Sequence, residues 1–223
     1  MIGTPRVHLR LTDSTNERAR SLAASGAPHG TLVTADEQQA GRGRQGRAWT
    51  APPNSAVLMS VVLRELSETL PLAAAVAVSE AVPLETQIKW PNDVWIDGRK
   101  VAGILVEGRP QEGWAVLGIG LNVTTEEFPP ELHATSLRLA GADLSPADAL
   151  ALVVDSLRVW LSRPRDEVLA VWRSRDALQG RTVRWANGSK AGVAAGVDDS
   201  GALIVETHDG RVTLDAGEVH LER

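Results

Sequence analysis

Gly41-Arg42-Gly43-Arg44-Gln45-Gly46-Arg47-Ala48-Trp49 sets three glycines and three arginines into one short stretch. The segment is too irregular for a helix and too charged for a buried strand, so it reads as a loop between strands. Glycines let such a backbone turn with positive φ and come close to a ligand. Successive N–H groups then form an anion-binding concavity, and the arginines add fixed charge with paired donors. Trp49 supplies a flat apolar surface. The loop suits an anionic ligand with a planar or apolar part; on composition alone, a solvated basic turn fits the same residues.

The flanks turn this loop into part of a sheet. Upstream, Gly30 to Asp36 reads as a strand leading through Gln38 and Gln39. Downstream, Ser55 to Leu63 is a dense apolar strand. Before them come a short strand, Val7 to Leu11, and the polar cluster Thr12-Asp13-Ser14-Thr15-Asn16 opening a helix. Asp13 or Ser14 can cap that helix, with Gly26 just past its end. Capping uses one side chain, so the cluster leaves spare donors and acceptors.

Pro71 to Val82 reads as a buried helix with proline in its first turn. Thr86 to Trp90 is a strand stopped by Pro91, and Asp97-Gly98 joins strands Val94–Ile96 and Val101–Val106 in the strongest short hairpin signal. Lys100 begins the second of these. Trp114 to Leu121 continues the sheet and carries Gly118 and Gly120, whose spacing suggests that something approaches the backbone closely. After an irregular connection opening at Phe128-Pro129-Pro130, Ser145-Pro146 starts a helix with an apolar face of Leu150, Val153, Leu157, Trp160 and Leu161. A second helix covers roughly Asp166 to Ala177.

A boundary falls near Gln179-Gly180. Beyond it the helical period disappears, and short strands at Thr182–Trp185, Ala191–Val197, Ala202–Thr207 and Arg211–Asp215 are joined by turns at Asn187-Gly188, Ser200-Gly201 and Asp209-Gly210. This is a small antiparallel β barrel or sandwich that leans on the main domain.

The chain has 223 residues, enough for one well-filled core and a smaller appendage. Lys and Arg number 23 against 28 Asp and Glu, a balance of −5 that argues against a protein whose main business is coating nucleic acid. The positive charge around Arg42 is therefore local. Absence of cysteine excludes disulfides, thiolate metal sites and cysteine nucleophiles. With no long apolar run and no signal-peptide pattern, the expected location is the cytoplasm. The five histidines are scattered and read as structural or exposed.

Five segments together resemble the biotin protein ligases: Asp13-Ser14-Thr15-Asn16; Gln38 through Arg47; Lys89-Trp90-Pro91-Asn92-Asp93; Arg99-Lys100-Val101-Ala102-Gly103-Ile104-Leu105; and Gly118-Ile119-Gly120-Leu121-Asn122. They stand in family order, and the C-terminal strands are similar to the family's small barrel. The resemblance implies an α+β fold: a mixed, mostly antiparallel sheet packed with helices, of the class II synthetase-like kind, over 1–178, with an SH3-like β barrel over 179–223. It also implies a two-step reaction. The carboxylate of biotin attacks the α-phosphate of ATP, giving biotinyl-5′-AMP and pyrophosphate. A lysine amine of a biotin carboxyl carrier domain then attacks the acyl carbon and expels AMP.

Carried over to this sequence, Ser14, Thr15, Asn16 and Gln38 would hydrogen-bond biotin, with Gly103 beside them. Arg42, Gly43 and Arg44 would close over the acyl-phosphate, and Arg44 joins Lys100 as catalytic. Lys100 would lie between carboxyl and α-phosphate and stabilise charge in both transition states; without the neighbouring motifs it reads as a solvated lysine. Arg47, Trp49, Trp90, Asn92 and Asn122 are assigned to ATP, the tryptophans alternatively to plain core packing. Asp93, the only acid embedded in a motif, is the nominee for Mg²⁺. Gln45 departs from relatives that carry arginine there. Only a dozen residues precede Asp13, so a ligase without DNA-binding activity is expected, with no membrane partner; a homodimer stays open. The rival readings are a lipoate or octanoate transferring relative on the same fold, an RNA-binding module, and a catalytically dead biotin-binding regulator.

Overall fold

The structure is a computed structural model that describes residues 1–215, 217 and 219–221. Twelve strands and four α-helices follow one another among these residues: β1 (Arg6–Leu9), α1 (Thr15–Ala24), β2 (Leu32–Ala35), β3 (Ala56–Leu63), α2 (Leu70–Ala81), β4 (Gln87–Lys89), β5 (Asp93–Ile96), β6 (Arg99–Arg109), β7 (Trp114–Asn122), α3 (Pro146–Trp160), α4 (Arg165–Ser174), β8 (Thr182–Trp185), β9 (Lys190–Val197), β10 (Leu203–Thr207), β11 (Gly210–Leu214) and β12 (His220–Leu221).

The first seven strands form one sheet in the order β1-β2-β3-β7-β6-β5-β4. Only β1 and β2 run parallel, so the sheet is mixed and mostly antiparallel, as the sequence implied. Helices cover both faces. α2, α3 and α4 bury one face in the main core, where Trp172, Leu157 and Leu117 are fully enclosed. α1 covers the other with Ala19 and Ala23 on Val33, Val62 and Val116. This two-sided burial is why all eight residues of β3 are buried and its sequence reads as a continuous apolar run. Ser14 stands at the N-cap of α1, but its side chain makes no capping bond, which leaves its hydroxyl for other use. Ser145 does cap α3, accepting from the Asp148 N–H at 3.1 Å.

The remaining strands form a five-stranded antiparallel sheet, order β11-β10-β9-β8-β12. Its first four strands match those read from sequence; β12, a two-residue strand paired to β8, was not foreseen. The indole Nε1–H of Trp90 donates to Gly201 O at 3.0 Å, and Arg173 donates to Val197 O, so the small sheet does lean on the large one.

Candidate active site

The pairing register on the α1-facing side of the sheet lays out the site. Ser60 of β3 lies opposite Gly118 of β7, which lies opposite Leu105 of β6. Two residues along, Leu58, Gly120 and Gly103 form the next row. Residues two apart in a strand share a face and are separated by about 7 Å. Each row is covered by one side chain that only glycine permits. A methyl on Gly118 would come within 2.8 Å of Asn16 Cγ, and one on Gly120 within 2.6 Å of Trp49 Cζ2. The close approach expected at the two glycines is thus made by the protein's own Asn16 and Trp49.

A cavity of about 820 Å³ opens over these rows. Its walls bring together Ser14, Thr15, Asn16, Gln38, Arg42, Gly43, Arg44, Arg47, Trp49, Asn92, Asp93, Lys100, Gly103 and Asn122, residues that the sequence placed on five separate segments.

One end is uncharged and polar. Ser14, Thr15 and Asn16 are buried at the start of α1. The backbone N–H of Thr15 donates to Gln38 Oε1 at 2.7 Å, with Thr15 Oγ1 3.0 Å from the same oxygen. Ser60 Oγ, fully buried, lies 2.8 Å from Thr15 Oγ1 and 2.6 Å from Asn16 Oδ1. Asn16 Nδ2 donates to Glu107 Oε2 at 2.8 Å. Ser60 was passed over in the sequence, although a lone hydroxyl in an apolar strand was its signal.

The other end is cationic. Lys100 Nζ is 2.7 Å from Asp93 Oδ1 and 5.5 Å from the centroid of the Trp49 ring. Lys89, only 8% exposed, lies 5.6 Å from the Trp95 ring centroid and lines the same cavity. Burial lowers the Lys89 pKa; Asp93 opposes this, while Lys100, Arg47 and Arg44 reinforce it. Burial likewise lowers the Arg44 pKa, against Asp93 and with Arg47. Four cations therefore gather around one carboxylate, a field suited to a polyanion. Lys89 stands in a motif that the sequence reading quoted without giving the residue a role.

The structure bears on four expectations. Trp90 does not reach the cavity: its ring is buried and its N–H is spent on Gly201 O, so it supports the wall between the two sheets instead of packing on a ligand. Asp93 does not fit a metal, because Lys100 occupies it and cations surround it; no group of three or more His, Asp or Glu able to hold an ion exists among the described residues. Asn92 and Asn122 line the cavity, but their amides donate to Ile104 O and to Thr135 O. His133 and His220 are exposed, as read, yet both line the cavity, and burial followed by Lys89 and Arg47 lowers the His220 pKa.

Two further segments complete the walls. The connection after Phe128 contributes Glu131, Leu132 and Ala134, and it pins Lys100: the Lys100 N–H donates to His133 O at 2.9 Å, and the Thr135 N–H to Lys100 O at 2.8 Å. From the C-terminal segment come Arg181, just before β8, and Leu221 of β12, and Arg44 donates to Gly217 O at 3.3 Å. Arg42, on the cavity wall, pairs with carboxylates, 3.2 Å from Glu17 Oε2 and 3.8 Å from Glu107 Oε1. Its loop closes on itself through Gly43 N–H to Arg47 O and Trp49 N–H to Gly41 O, with Gln45 at φ 54° and Gly46 at φ 75°.

Residues 8–123 match the model of the biotin/lipoate A/B protein ligase family, and residues 181–221 match the biotin protein ligase C-terminal domain. The bifunctional ligase/repressor BirA of Bacillus subtilis is 34% identical over 99% of this chain and 75% of its own length. The biotin–[acetyl-CoA-carboxylase] ligase of Mycobacterium tuberculosis is 36% identical over 93% of this chain and 85% of its own. Among solved structures, the Aquifex aeolicus biotin protein ligase in complex with biotin and ATP superposes with a TM-score of 0.84 at 30% identity, covering 99% of both chains.

Proposed function

This chain belongs to the biotin/lipoate A/B protein ligase family, and we propose from that premise that it is an ATP-dependent biotin protein ligase. It joins biotin to AMP and passes the biotinyl group to a lysine of a biotin carboxyl carrier domain. The observation that carries this reading is the layout of one cavity. An uncharged, hydrogen-bonding end lies over the Ser60–Gly118 row, a cationic end begins one row away, and Lys100 stands at the junction.

Biotin fits that order: a urea head, an apolar body and a carboxylate tail. The head meets Ser14, Thr15, Asn16 and Gln38, the body lies along the wall that Asn16 and Trp49 build over Gly118 and Gly120, and the carboxylate arrives at Lys100. The triphosphate of ATP meets Lys89, Arg44 and Arg47. In the first step a carboxylate oxygen bonds to the α-phosphorus while the bond to the bridging oxygen of pyrophosphate breaks. Two anions must approach, and Lys100, held by Asp93 and the 133–135 backbone, lowers their repulsion. In the second step the carrier amine bonds to the acyl carbon, the bond to AMP oxygen breaks, and the amine releases its proton. Between steps the Gly41–Trp49 loop and the connection after Phe128 keep water from the mixed anhydride.

The residues here do not fit a protein-held Mg²⁺, so no step is assigned to one; a divalent ion required by the reaction comes with the nucleotide. The division at 178/179 belongs to the same reading, with the cavity walled from both sides of it. No helix among the described residues is long and apolar enough to cross a membrane, and an ATP-driven reaction suits the cytoplasm.

Mass spectrometry of a carrier domain incubated with this chain, ATP and either biotin or lipoate tests the reading. A biotinyl adduct on one lysine is expected. Its absence, or a lipoyl adduct in its place, would overturn the assignment.

A further inference from the structure

Lys89 is buried on β4, opposite Asp93 of β5, at the cationic end of the cavity. The carboxylate opposite it is spent on Lys100, at 2.7 Å. Burial disfavours the charged form of Lys89; Asp93 opposes this, and Lys100, Arg47 and Arg44 add repulsion. What lies against the ammonium is a ring. The centroid of Trp95 is 5.6 Å away, within the range of a cation–π attraction.

Strand alternation puts the pair there. Ile88, Val94 and Ile96 join the main core, while Lys89, Asp93 and Trp95 line the cavity. Trp95 pairs with Gln87, two residues from Lys89 on β4, so ring and ammonium are diagonal neighbours, a separation that an aromatic side chain can bridge. The indole does not serve through its N–H. Nε1 of Trp95 is buried and has no hydrogen-bond partner among the described residues, a cost that a phenyl ring would avoid. Trp49 repeats the arrangement: its Nε1 is equally buried and unpartnered, and its ring centroid is 5.5 Å from Lys100 Nζ. Two lysines of one cavity thus each lie over an indole whose polar atom is unused. Indole offers a cation the strongest face among the aromatic side chains.

We propose that Trp95 is a positioning residue for the nucleotide: its ring face holds the Lys89 ammonium at the end of the cavity that receives the polyphosphate. A ring attracts a cation without neutralising it, so the positive charge of Lys89 stays available to an incoming anion. A second carboxylate in the place of the ring would hold the ammonium as well, but it would repel the phosphates. The inference rests on the ligase reading, in which Lys89 meets the triphosphate of ATP.

Trp95→Leu removes the ring face and keeps apolar bulk, whereas Trp95→Phe keeps a face and loses only the unused N–H. Biotin-dependent exchange of labelled pyrophosphate into ATP reads the effect. Trp95→Leu should raise the KM for ATP roughly ten-fold, between the worth of an exposed and of a fully desolvated cation–π contact. Trp95→Phe should stay within about two-fold of the unaltered chain. Calorimetric titration with biotin alone should give one affinity for all three proteins, which a general distortion of the cavity would not. In a Lys89→Met background Trp95→Leu should add little, because the cation is gone. Trp95→Met takes the place of Trp95→Leu if the latter does not fold. An unchanged KM for ATP in Trp95→Leu, an equal rise in Trp95→Phe, a parallel loss of biotin affinity, or a full further rise in the Lys89→Met background would overturn the inference while the ligase reading stands. No biotin-dependent exchange by the unaltered chain would overturn the ligase reading, and the inference with it.

Discussion

Gly118→Ala puts the construction of the cavity floor under direct strain. The added methyl would lie 2.8 Å from Asn16 Cγ and 3.0 Å from Asn16 Nδ2, well inside van der Waals contact. Strand β7 is buried and paired on both sides, by β3 and β6, so the backbone cannot retreat and Asn16 must move. Moving it breaks the bond to the Glu107 carboxylate at 2.8 Å and the bond from Ser60 at 2.6 Å. A hydrogen bond to a charged group contributes about 1.5–3 kcal/mol and a neutral one about 0.5–1.5 kcal/mol. Against this stands a gain of about 0.4–1 kcal/mol from replacing glycine at a backbone conformation open to alanine. The net expectation is a loss of about 1–4 kcal/mol, read from urea unfolding, with biotin binding weakened in parallel. Because the cost runs through one contact, a double-mutant cycle isolates it: in an Asn16→Ala background, Gly118→Ala should be close to neutral. A full-sized loss in both backgrounds, or no loss in either, would refute the claim that Gly118 is glycine to admit Asn16.

Lys100→Ala should slow adenylate formation at least about a hundred-fold, since it removes the cation at the junction, while leaving a folded protein by circular dichroism. Lys89→Met should stabilise the chain by about 1–3 kcal/mol at neutral pH and raise the KM for ATP, because it deletes a buried charge whose use is the polyphosphate. The sign is testable by pH. The Lys89 pKa is lowered from 10.5 in the fold, so the unfolded chain binds more protons in the window below 10.5, and unaltered protein should gain stability as pH rises through it; Lys89→Met should lack that slope. Trp90→Phe leaves Gly201 O without its donor and should cost about 1–3 kcal/mol, with the KM for biotin unmoved; a selective rise in that KM would return Trp90 to the cavity.

What the sequence disclosed follows the range of the interactions concerned. The Asp97-Gly98 hairpin was legible because its turn is local, with φ of 48° and 71° at the two residues. The strand β3 and the helix α3 were legible from apolar patterning that two-sided or one-sided burial imposes. The glycines of β7 announced a close approach, but only the three-dimensional pairing shows that Asn16 and Trp49 make it. Asp93 and Lys100 were each singled out and given separate tasks. Their ion pair spans a hairpin whose register shifts between Val94 and Trp95, an irregularity that no spacing discloses. Glu107 went unremarked because its partner Asn16 is 91 residues away in the chain. Trp90 illustrates the limit for aromatic rings: size and apolarity say that it is buried, not which wall it joins.

The central claim is that this one cavity activates a urea-headed acid on ATP before any acceptor arrives. Exchange of labelled pyrophosphate into ATP, measured with no carrier domain present, tests it most directly. The account predicts exchange that requires biotin and is supported by neither lipoate nor octanoate. Exchange without biotin, exchange driven by lipoate, or biotin-dependent labelling of a carrier with no exchange at all would contradict it.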